Sequence, residues 1–432
     1  MAWDFSTDPE FQEQLDWMRD LVRDEIEPID LFYDDMSDES YRRLLEPLKQ
    51  RVKDRGLWAC HLDPELGGKG YGQVKLALMH QILGRTRSAP NVFGNQAPDS
   101  GNSELIAVGA NDEQKEKWLW PLLRGELTSS FSLTEPHYSG SDPTMIATRA
   151  ERDGDEYVIN GHKWFASNAD KADFVLMMVV TNPDNPPHKA ASMMVIPRDT
   201  PGLEIVRNVY NMHHPYPGHY RAGGHAEIRL TDCRVPVENR IGEEGEGFLL
   251  AQKRLSGGRI HHAMRWVGQC ERAFEMMAER AVSRPTKGSL LADKQMIQDF
   301  IATSSVEIRA LKLLALHTAW LWDTQGASAT RVEIAELKFW GAKILHDVID
   351  RAIQVHGAIG WTTDLPLADM YVLARQMRIA DGADEVHKSF VARKRVKDAT
   401  PVEGWPSEHI PSRQDAYRER FAQYLDNVAV NH

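Results

Sequence analysis

Cysteine is scarce in this sequence, and long apolar runs are missing. The three cysteines, Cys60, Cys233 and Cys270, lie far apart and form no C-x-x-C pair. This excludes a disulfide framework or a zinc knuckle and suits a reducing compartment. No stretch reaches the roughly 18 apolar residues of a membrane-spanning helix, and the acidic, amphipathic N-terminus lacks the basic start and apolar run of a secretory signal. We therefore expect a cytoplasmic protein.

Positive charge is also in short supply. The chain has 51 Lys and Arg against 63 Asp and Glu, which gives a formal net charge of -12. This balance argues against general binding to nucleic acid or to an anionic membrane, although a local basic groove can still hold an anionic ligand.

Two common ligand motifs are absent from the sequence. No G-x-G-x-x-G follows a predicted strand, so a Rossmann-bound dinucleotide is not suggested. No H-E-x-x-H is present, and neighbouring histidines such as His261 and His262 point in different directions on a helix. We therefore expect no metal site.

The hydrophobic pattern indicates three successive regions. With 42% hydrophobic residues and 12 Trp, the chain can form large cores. Helical periodicity dominates the first region, short alternating or apolar runs between turn clusters form the second, and helical periodicity returns in the third. We predict an α+β multidomain protein with an N-terminal helical domain (1–130), a β-sandwich or barrel domain (131–243), a C-terminal helical bundle (244–400) and a tail (401–432).

Six segments resemble the acyl-CoA dehydrogenase family, in register across almost the whole chain. They are "DPELGGKGYG" (63–72), "NDEQKEKWLWPLLRGE" (111–126), "FSLTEPHYSGSD" with "GDEYVINGHKWFASNA" (131–142 and 154–169), "DCRVPVENRIGEEGEGF" (232–248), "RPTKGSLL" (284–291) and "QVHGAIGWTTDLPLADMYVLARQMRIADGADEVHK" (354–388). One such motif is weak evidence, but six in the right order are strong. The resemblance implies an FAD-dependent enzyme with the α–β–α fold of that family.

A flavin ring needs hydrogen bonds to its polar edge and an apolar or aromatic face. By resemblance, Phe131, Leu133 and Thr134 line the isoalloxazine, and Phe165 and Ser167 close its other side. Taken singly, the apolar members are also ordinary β-core residues. Ser141 matches a serine that contacts the pantetheine or phosphate part of the thioester, although a serine in "SGSD" is also a common turn residue.

In the resembled family the adenosine half of the flavin crosses a dimer interface. The matching residues here are Arg284, Gly288, Gln354, Gly357 and Ala358. The sequence departs from the family pattern in two places, because Lys287 stands where an aromatic residue is usual and Ala358 stands where a second glycine is usual. The resemblance implies a homo-oligomer, a dimer or tetramer. Because of the two departures, we expect the adenine end of the flavin to sit differently from its usual position in the family. A solvated Arg284 and a helix-packing Gly357 are the alternatives.

The segment "MRIADGADEVHK" (377–388) carries the expected base. The family places its catalytic Glu before a glycine here, and the matching pair is Asp381–Gly382. Gly382 is expected beside the substrate. Asp384 and Glu385 follow where a helix would begin, so we interpret them as first-turn acids favoured by the helix dipole.

Some family branches place the base before an arginine on the first long C-terminal helix. That pair is Gly258–Arg259 in this chain, so this position holds no acid and Asp381 remains the candidate. Arg259 matches the family arginine, which would contact the substrate or tune the cleft electrostatically; an exposed helix arginine is the simpler alternative.

The resemblance implies α,β-dehydrogenation of an acyl-CoA thioester to the trans-2-enoyl-CoA, as in fatty-acid β-oxidation, with electrons passing to an electron-transfer flavoprotein. Two alternatives stay open: a flavin oxidase of the nitroalkane-oxidase kind, which also uses an aspartate base, and a non-catalytic FAD-stabilised scaffold. The sequence does not indicate the acyl group, nor the role of the aromatic loop over residues 210–224.

Overall fold

The computed structural model describes residues 5–213, 224–397, 399–401 and 411–425. Most of the 210–224 loop and half of the predicted tail lie outside these residues. The chain divides into two compact units, Met1–Lys388 and Ser389–His432. The second unit contains the end of helix α13 (Asp384–Lys397) and helix α14 (Pro411–Arg420).

The N-terminal part of the chain is helical, as predicted. Two of its helices start at polar caps of this kind: Asp8 accepts from the Phe11 amide at 2.8 Å, and Asn111 forms a reciprocal capping box with Gln114. The helices are α1 (Pro9–Leu21), α2 (Ile29–Phe32), α3 (Asp38–Asp54), α4 (Gly72–Leu83), α5 (Ala89–Val92), α6 (Asp99–Gly109), α7 (Asp112–Gln114) and α8 (Trp120–Arg124). The apolar faces of α1, α3 and α4 form one core around Met18, Leu45 and Leu83.

The middle of the chain forms an eight-stranded sheet. Its strands are β1 (Ser129–Ser132), β2 (Arg149–Asp153), β3 (Glu156–Ser167), β4 (Phe174–Val180), β5 (Ala191–Pro197), β6 (Leu203–Asn208), β7 (His225–Pro236) and β8 (Arg240–Ile241). The order is β6-β7-β3-β1-β4-β5-β8, and β2 pairs with β3 and β4.

Strand β4 shows why this sheet has two apolar sides. Each of its seven residues is buried. Val175 and Met177 face a core inside the sheet, whereas Phe174 and Leu176 pack against helical residues such as Leu105 and Trp118. A strand covered on both faces reads as a continuous apolar run rather than an alternation.

The C-terminal part is a bundle of long helices. These are α9 (Gly247–Ser283), α10 (Gln295–Gln325), α11 (Arg331–His356) and α12 (Leu367–Met377), and a hairpin of β9 (Pro285–Thr286) and β10 (Ser289–Leu290) joins the first two. Helices α9, α10 and α11 share a large apolar core. None of the described helices is long and apolar enough to cross a membrane.

The three cysteines are buried free thiols in three different cores. Cys60 lies in the N-terminal helical core, Cys233 inside the sheet and Cys270 in the C-terminal bundle. Burial raises the pKa of Cys60 to about 12 and that of Cys233 to about 11, and it raises the pKa of Cys270 still further. A thiol with a raised pKa carries little of the reactive thiolate at neutral pH.

Candidate active site

The predicted base lies in a left-handed turn between α12 and α13. Asp381 has a φ of 55° and Gly382 a φ of 100°. Asp is one of the few residues other than glycine that tolerates this conformation. Glycine is required at the second position, because a Cβ on Gly382 would lie 2.7 Å from His387 Nε2. The turn lifts the Asp381 side chain to a partly exposed position, with a relative side-chain exposure of 39%.

Arg259, His262 and His387 are among the side chains close to Asp381. Arg259 Nη2 donates to the Asp381 carbonyl oxygen at 3.3 Å, and His387 Nε2 donates to the same oxygen at 3.2 Å. His262 Nε2 lies 3.7 Å from the carboxylate oxygen Oδ2. The structure therefore brings the predicted pair, Asp381 and Arg259, together. Arg259 is partly buried in this cleft rather than exposed, and burial lowers its pKa.

Lys338, which was not predicted from the sequence, stabilises the same turn through hydrogen bonds to its main chain. It lies on α11 with a relative exposure of 2%. Its Nζ donates to the Met377 carbonyl at 2.7 Å and to the Gly382 carbonyl at 2.8 Å. Burial lowers the pKa of Lys338 to about 8, against the opposing effect of Asp384 and Asp381.

The two acids that follow the turn differ from each other. Both begin α13, as predicted, and Glu385 is exposed. Asp384, however, is not a solvated first-turn acid: its side chain is 3% exposed and accepts from Arg378 Nε at 2.8 Å. This ion pair joins the two ends of the turn, because Arg378 precedes Asp381 and Asp384 follows it. The helix-dipole interpretation of Asp384 was therefore incomplete, because its burial gives it a structural partner.

Asp381 opens onto a polar cleft between α6 and α9. The residues lining it include His61, Asn95, Ser100, Glu104, Gly258, Arg259, His261, His262 and Arg265. Burial lowers the pKa of His61 to about 4 and holds the pKa of His261 well below its usual range, so both imidazoles are neutral at pH 7. Most of the side chains that line the cleft are polar or charged.

Arg265 is the unusual member of this cleft. Its Nε donates to His80 Nδ1 at 3.1 Å and its Nη2 donates to the Asn95 carbonyl at 2.6 Å. Among the described residues, no carboxylate forms an ion pair with it, and burial lowers its pKa to about 10. A partly buried guanidinium that donates to two neutral acceptors has no counter-ion within the described part of the chain.

The predicted ring residues meet where β1 ends beside β3. Phe131 pairs with Ser167 across the two strands, and Thr134 Oγ1 donates to the Trp164 carbonyl at 2.8 Å. Phe165 has a positive φ of 51° and is 44% exposed, although it is large and apolar. Phe131 and Leu133 are partly buried and pack against the sheet core. They are thus core residues that remain partly exposed, and their contact with a flavin ring stays a prediction.

A buried ion pair fixes this segment. Lys163, with no exposed side-chain surface, lies 2.9 Å from Glu135, which is 4% exposed. Its Nζ also donates to the Leu133 carbonyl at 2.9 Å. Glu135 accepts further bonds from the Thr148 amide and hydroxyl. The "LTEP" and "KWF" segments are therefore held together from inside the sheet.

A hydrogen-bond chain connects the ring residues with the helix that precedes the base. Ser167 Oγ lies 2.9 Å from His225 Nδ1, and His225 Nε2 lies 3.3 Å from Gln376 Nε2 on α12. Burial lowers the pKa of His225, so it is neutral. The Gln376 amide can then donate to Nε2 while Nδ1–H donates to Ser167. This chain, which the sequence did not predict, links the ring residues to the helix that precedes the base.

The residues predicted for the adenosine half lie on two exposed segments. Arg284 and Gly288 belong to the β9–β10 hairpin, where Lys287 and Gly288 both have positive φ, of 43° and 80°. That pair of angles is characteristic of a tight hairpin turn. Gln354, Gly357 and Ala358 are exposed at the end of α11, and Ser141 is exposed in its loop. Their roles remain predictions.

The succession of a helical part, an eight-stranded sheet and a second helical part is the three-part architecture that the sequence predicted. Three family models match consecutive parts of the chain: acyl-CoA dehydrogenase N-terminal domain (8–126), middle domain (130–232) and C-terminal domain (245–395). The chain belongs to the acyl-CoA dehydrogenase family, a family of oxidoreductases.

Individual relatives agree with this assignment. "Probable acyl-CoA dehydrogenase FadE2" of Mycobacterium tuberculosis is 42% identical over 353 residues, which are 81% of this chain and 85% of that protein. "Acyl-CoA dehydrogenase family member 11" of Rattus norvegicus is 41% identical over 358 residues, 82% of this chain but 45% of the relative. The chain thus spans about half the length of some curated relatives.

Solved structures show the same fold. The acyl-CoA dehydrogenase from Geobacillus kaustophilus has a TM-score of 0.76 at 25% identity, covering 90% of this chain and 98% of its own. A glutaryl-coenzyme A dehydrogenase in complex with glutaryl-CoA has a TM-score of 0.77 at 25% identity, covering 92% and 97%.

FAD is the cofactor of this family, and the residues present fit it. The exposed ring of Phe165 and the open sides of Phe131 and Leu133 offer a flat apolar surface. The main chain around Thr134, held by Trp164 and Lys163, offers polar groups beside it. A flavin needs this combination.

Proposed function

We propose that this protein dehydrogenates an acyl-CoA thioester between Cα and Cβ to give the trans-2-enoyl-CoA. Bound FAD supplies the hydride acceptor. Asp381 accepts the α-proton on its carboxylate, and Arg259 stabilises the turn and the negative charge near it. The observation that carries the proposal is the placement of Asp381 on a left-handed turn, with its carboxylate facing the cleft that Arg259 also lines.

Supporting this assignment, the neighbouring position on α9 holds no rival base. Gly258 lies where an alternative acid would stand, and it lines the same cleft. The other carboxylate of the cleft is Glu104 on α6. Glu104 lines the cleft from α6, whereas Asp381 lies in the turn after α12. Replacing Glu104 therefore tests whether this second carboxylate, instead of Asp381, is the base.

The acyl group that fits this cleft carries a polar or anionic substituent. Arg265 is a partly buried cation to which none of the described carboxylates is paired, so a substrate carboxylate, phosphate or hydroxyl would supply a partner. The fold can accept such groups, because one solved neighbour is a glutaryl-CoA complex.

We propose that the protein works in the cytoplasm as a homo-oligomer and passes its electrons to an electron-transfer flavoprotein. Arg284, Gly288, Gln354, Gly357 and Ala358 would reach the adenosine half of a neighbour's FAD. The C-terminal helices expose large apolar side chains, among them Met296 at 75% and Trp361 at 85%, and such a surface is typical of an interface. Ser141 and Gly382 would contact the thioester.

Anaerobic titration of the purified FAD enzyme tests the reaction. Straight-chain, hydroxylated and ω-carboxylated acyl-CoAs are compared by bleaching of the flavin absorbance, with nitroalkanes as the rival substrates. Bleaching by an acyl-CoA, with enoyl-CoA as product, supports the proposal. Bleaching only by nitroalkanes would favour the oxidase, and a flavin that no compound reduces would favour the scaffold.

Arg265→Met tests the substrate class. Truncating the cation should weaken binding of the acyl-CoA with a polar substituent by about 10–100-fold, which corresponds to the worth of a charged hydrogen bond. An unsubstituted acyl-CoA of equal length should lose little affinity. Equal losses for both compounds would contradict the proposed subsite.

A further inference from the structure

The turn that carries Asp381 is strained and needs external support. Two successive residues have positive φ, and a non-glycine residue in this region raises the backbone energy unless its surroundings fix it. Both of its carbonyl oxygens are held by side chains: Arg259 and His387 donate to that of Asp381, and Lys338 donates to that of Gly382.

Lys338 differs from the other two donors. It lies on another helix, α11, among buried apolar residues such as Leu337 and Ala342. It also donates to the Met377 carbonyl, at the C-terminus of α12, where the helix dipole favours a cation. Burying an ammonium group is unfavourable unless hydrogen bonds and acids compensate for it. A neutral amide could donate to the Met377 and Gly382 carbonyls with a smaller desolvation free energy. The positive charge of Lys338 therefore needs a separate explanation.

The charges around Lys338 point to that explanation. Asp384 and Asp381 favour its charged form, while Arg259 and Arg378 oppose it. Because the effect of two charges on each other is mutual, the ammonium also favours the ionised form of Asp381. Within the part of the chain that the structure describes, the titratable and charged groups that face this turn include Arg259 and His262 on α9, Asp381 in the turn, Arg378 after α12, and Asp384 and His387 on α13.

We propose that Lys338 is a positioning residue for the base: it fixes the left-handed turn by donating to the Met377 and Gly382 carbonyls on either side of Asp381, and it holds a positive charge under that turn. The proposal rests on the function proposed above. Lys338 does not touch the substrate; it acts through Asp381.

Lys338→Met tests both parts of this role, because methionine keeps the length but removes the donors and the charge. We expect flavin reduction to fall by about 10–100-fold, as for a small misplacement of a catalytic group. The acidic limb of the pH–rate profile should move to higher pH by about one unit, since loss of a nearby cation raises the pKa of a carboxylate. FAD content and acyl-CoA affinity should stay within about twofold.

Two further variants control for simple loss of structure. Lys338→Arg keeps the charge and should restore the position of the acidic limb even where the rate stays low. Lys343→Met removes an exposed lysine from the same helix, where it pairs with Asp347, and should leave rate and profile unchanged. If Lys338→Met folds poorly, the acidic limb of the pH–rate profile is compared between Lys338→Arg and Lys338→Gln. Both variants retain a hydrogen-bond donor, but only Lys338→Arg keeps the charge.

The outcomes separate this proposal from the proposed function. If Asp381→Asn reduces its flavin at the wild-type rate, the assignment of the base fails. If Asp381→Asn is inactive but the charge-removing Lys338 variants keep the wild-type acidic limb, only the role of Lys338 fails. A positioning role also predicts that adding Lys338→Met to Asp381→Asn lowers the residual rate by less than about twofold. A further fall as large as that in the single variant would overturn it.

Discussion

Replacement of Asp381 by Asn should slow flavin reduction without disturbing the turn. Asparagine also tolerates a left-handed backbone, and the carbonyl that accepts from Arg259 and His387 is unchanged. The lost contact with His262 spans 3.7 Å at a partly exposed carboxylate, so even a protonated His262 would contribute at most about 1 kcal/mol of stability through it. The rate, however, should fall by roughly 10²–10⁴-fold, the usual loss for a general base, or about 3–5 kcal/mol in activation free energy.

The assay is single-turnover bleaching of the flavin under anaerobic conditions, with FAD content and acyl-CoA affinity measured for each variant. Glu385→Gln is the matched control from the same turn, because Glu385 is exposed, and Glu104→Gln tests the other carboxylate of the cleft. Both should keep most of the rate. The rate of flavin reduction by Asp381→Glu should lie between those of the wild type and Asp381→Asn, because the longer acid is misplaced and tolerates the left-handed turn less well. Near-wild-type reduction by Asp381→Asn, together with an inactive Glu104→Gln, would refute the reasoning.

Three other outcomes concern the scaffold. Lys163→Met should destabilise the protein by about 3–5 kcal/mol, because it leaves Glu135 buried without its counter-ion; in denaturant unfolding, adding Glu135→Gln should recover part of the loss, and full additivity would argue against the pair. Gly382→Ala should cost about 1–3 kcal/mol, because its φ is 100° and the added methyl meets His387, whereas an unchanged melting temperature would contradict the strained turn. Burial raises the pKa of Asp99 to about 6, above the roughly 3.9 of an unfolded chain. The folded state therefore binds more protons between about pH 4 and 6, and this group lowers stability as the pH rises through that window. Asp99→Asn should remove this decrease, and melting curves with the wild-type slope would count against it.

The sequence predicted the order of helices, strands and helices because hydrophobic periodicity is a local property. Strand β4 and helix α9 follow from the spacing of their own apolar residues. The family motifs also led to the ring segments and to the Asp381–Gly382 turn, and the structure shows that Asp381 and Arg259 meet.

The supporting side chains could not be predicted in the same way. Lys338 donates to a carbonyl 44 residues away, and His225 and Gln376 are separated by 151 residues. In the sequence, Lys338 is one polar residue in a helical pattern, which is typical of a solvated face. Its burial depends on how α11 packs against the turn after α12. Likewise, the charge of Asp384 was visible in the sequence, but its burial against Arg378 was not.

The distribution of the three thiols makes the protein a convenient probe of its own local unfolding. Cys60, Cys233 and Cys270 report on three separate apolar cores, and each is buried. A thiol reagent can therefore modify each cysteine only when the core around it opens, so three modification rates, separated by peptide mapping, measure three opening equilibria in one experiment. A cysteine added at an exposed position would react far faster than all three, so a single label could be attached without first replacing the native cysteines.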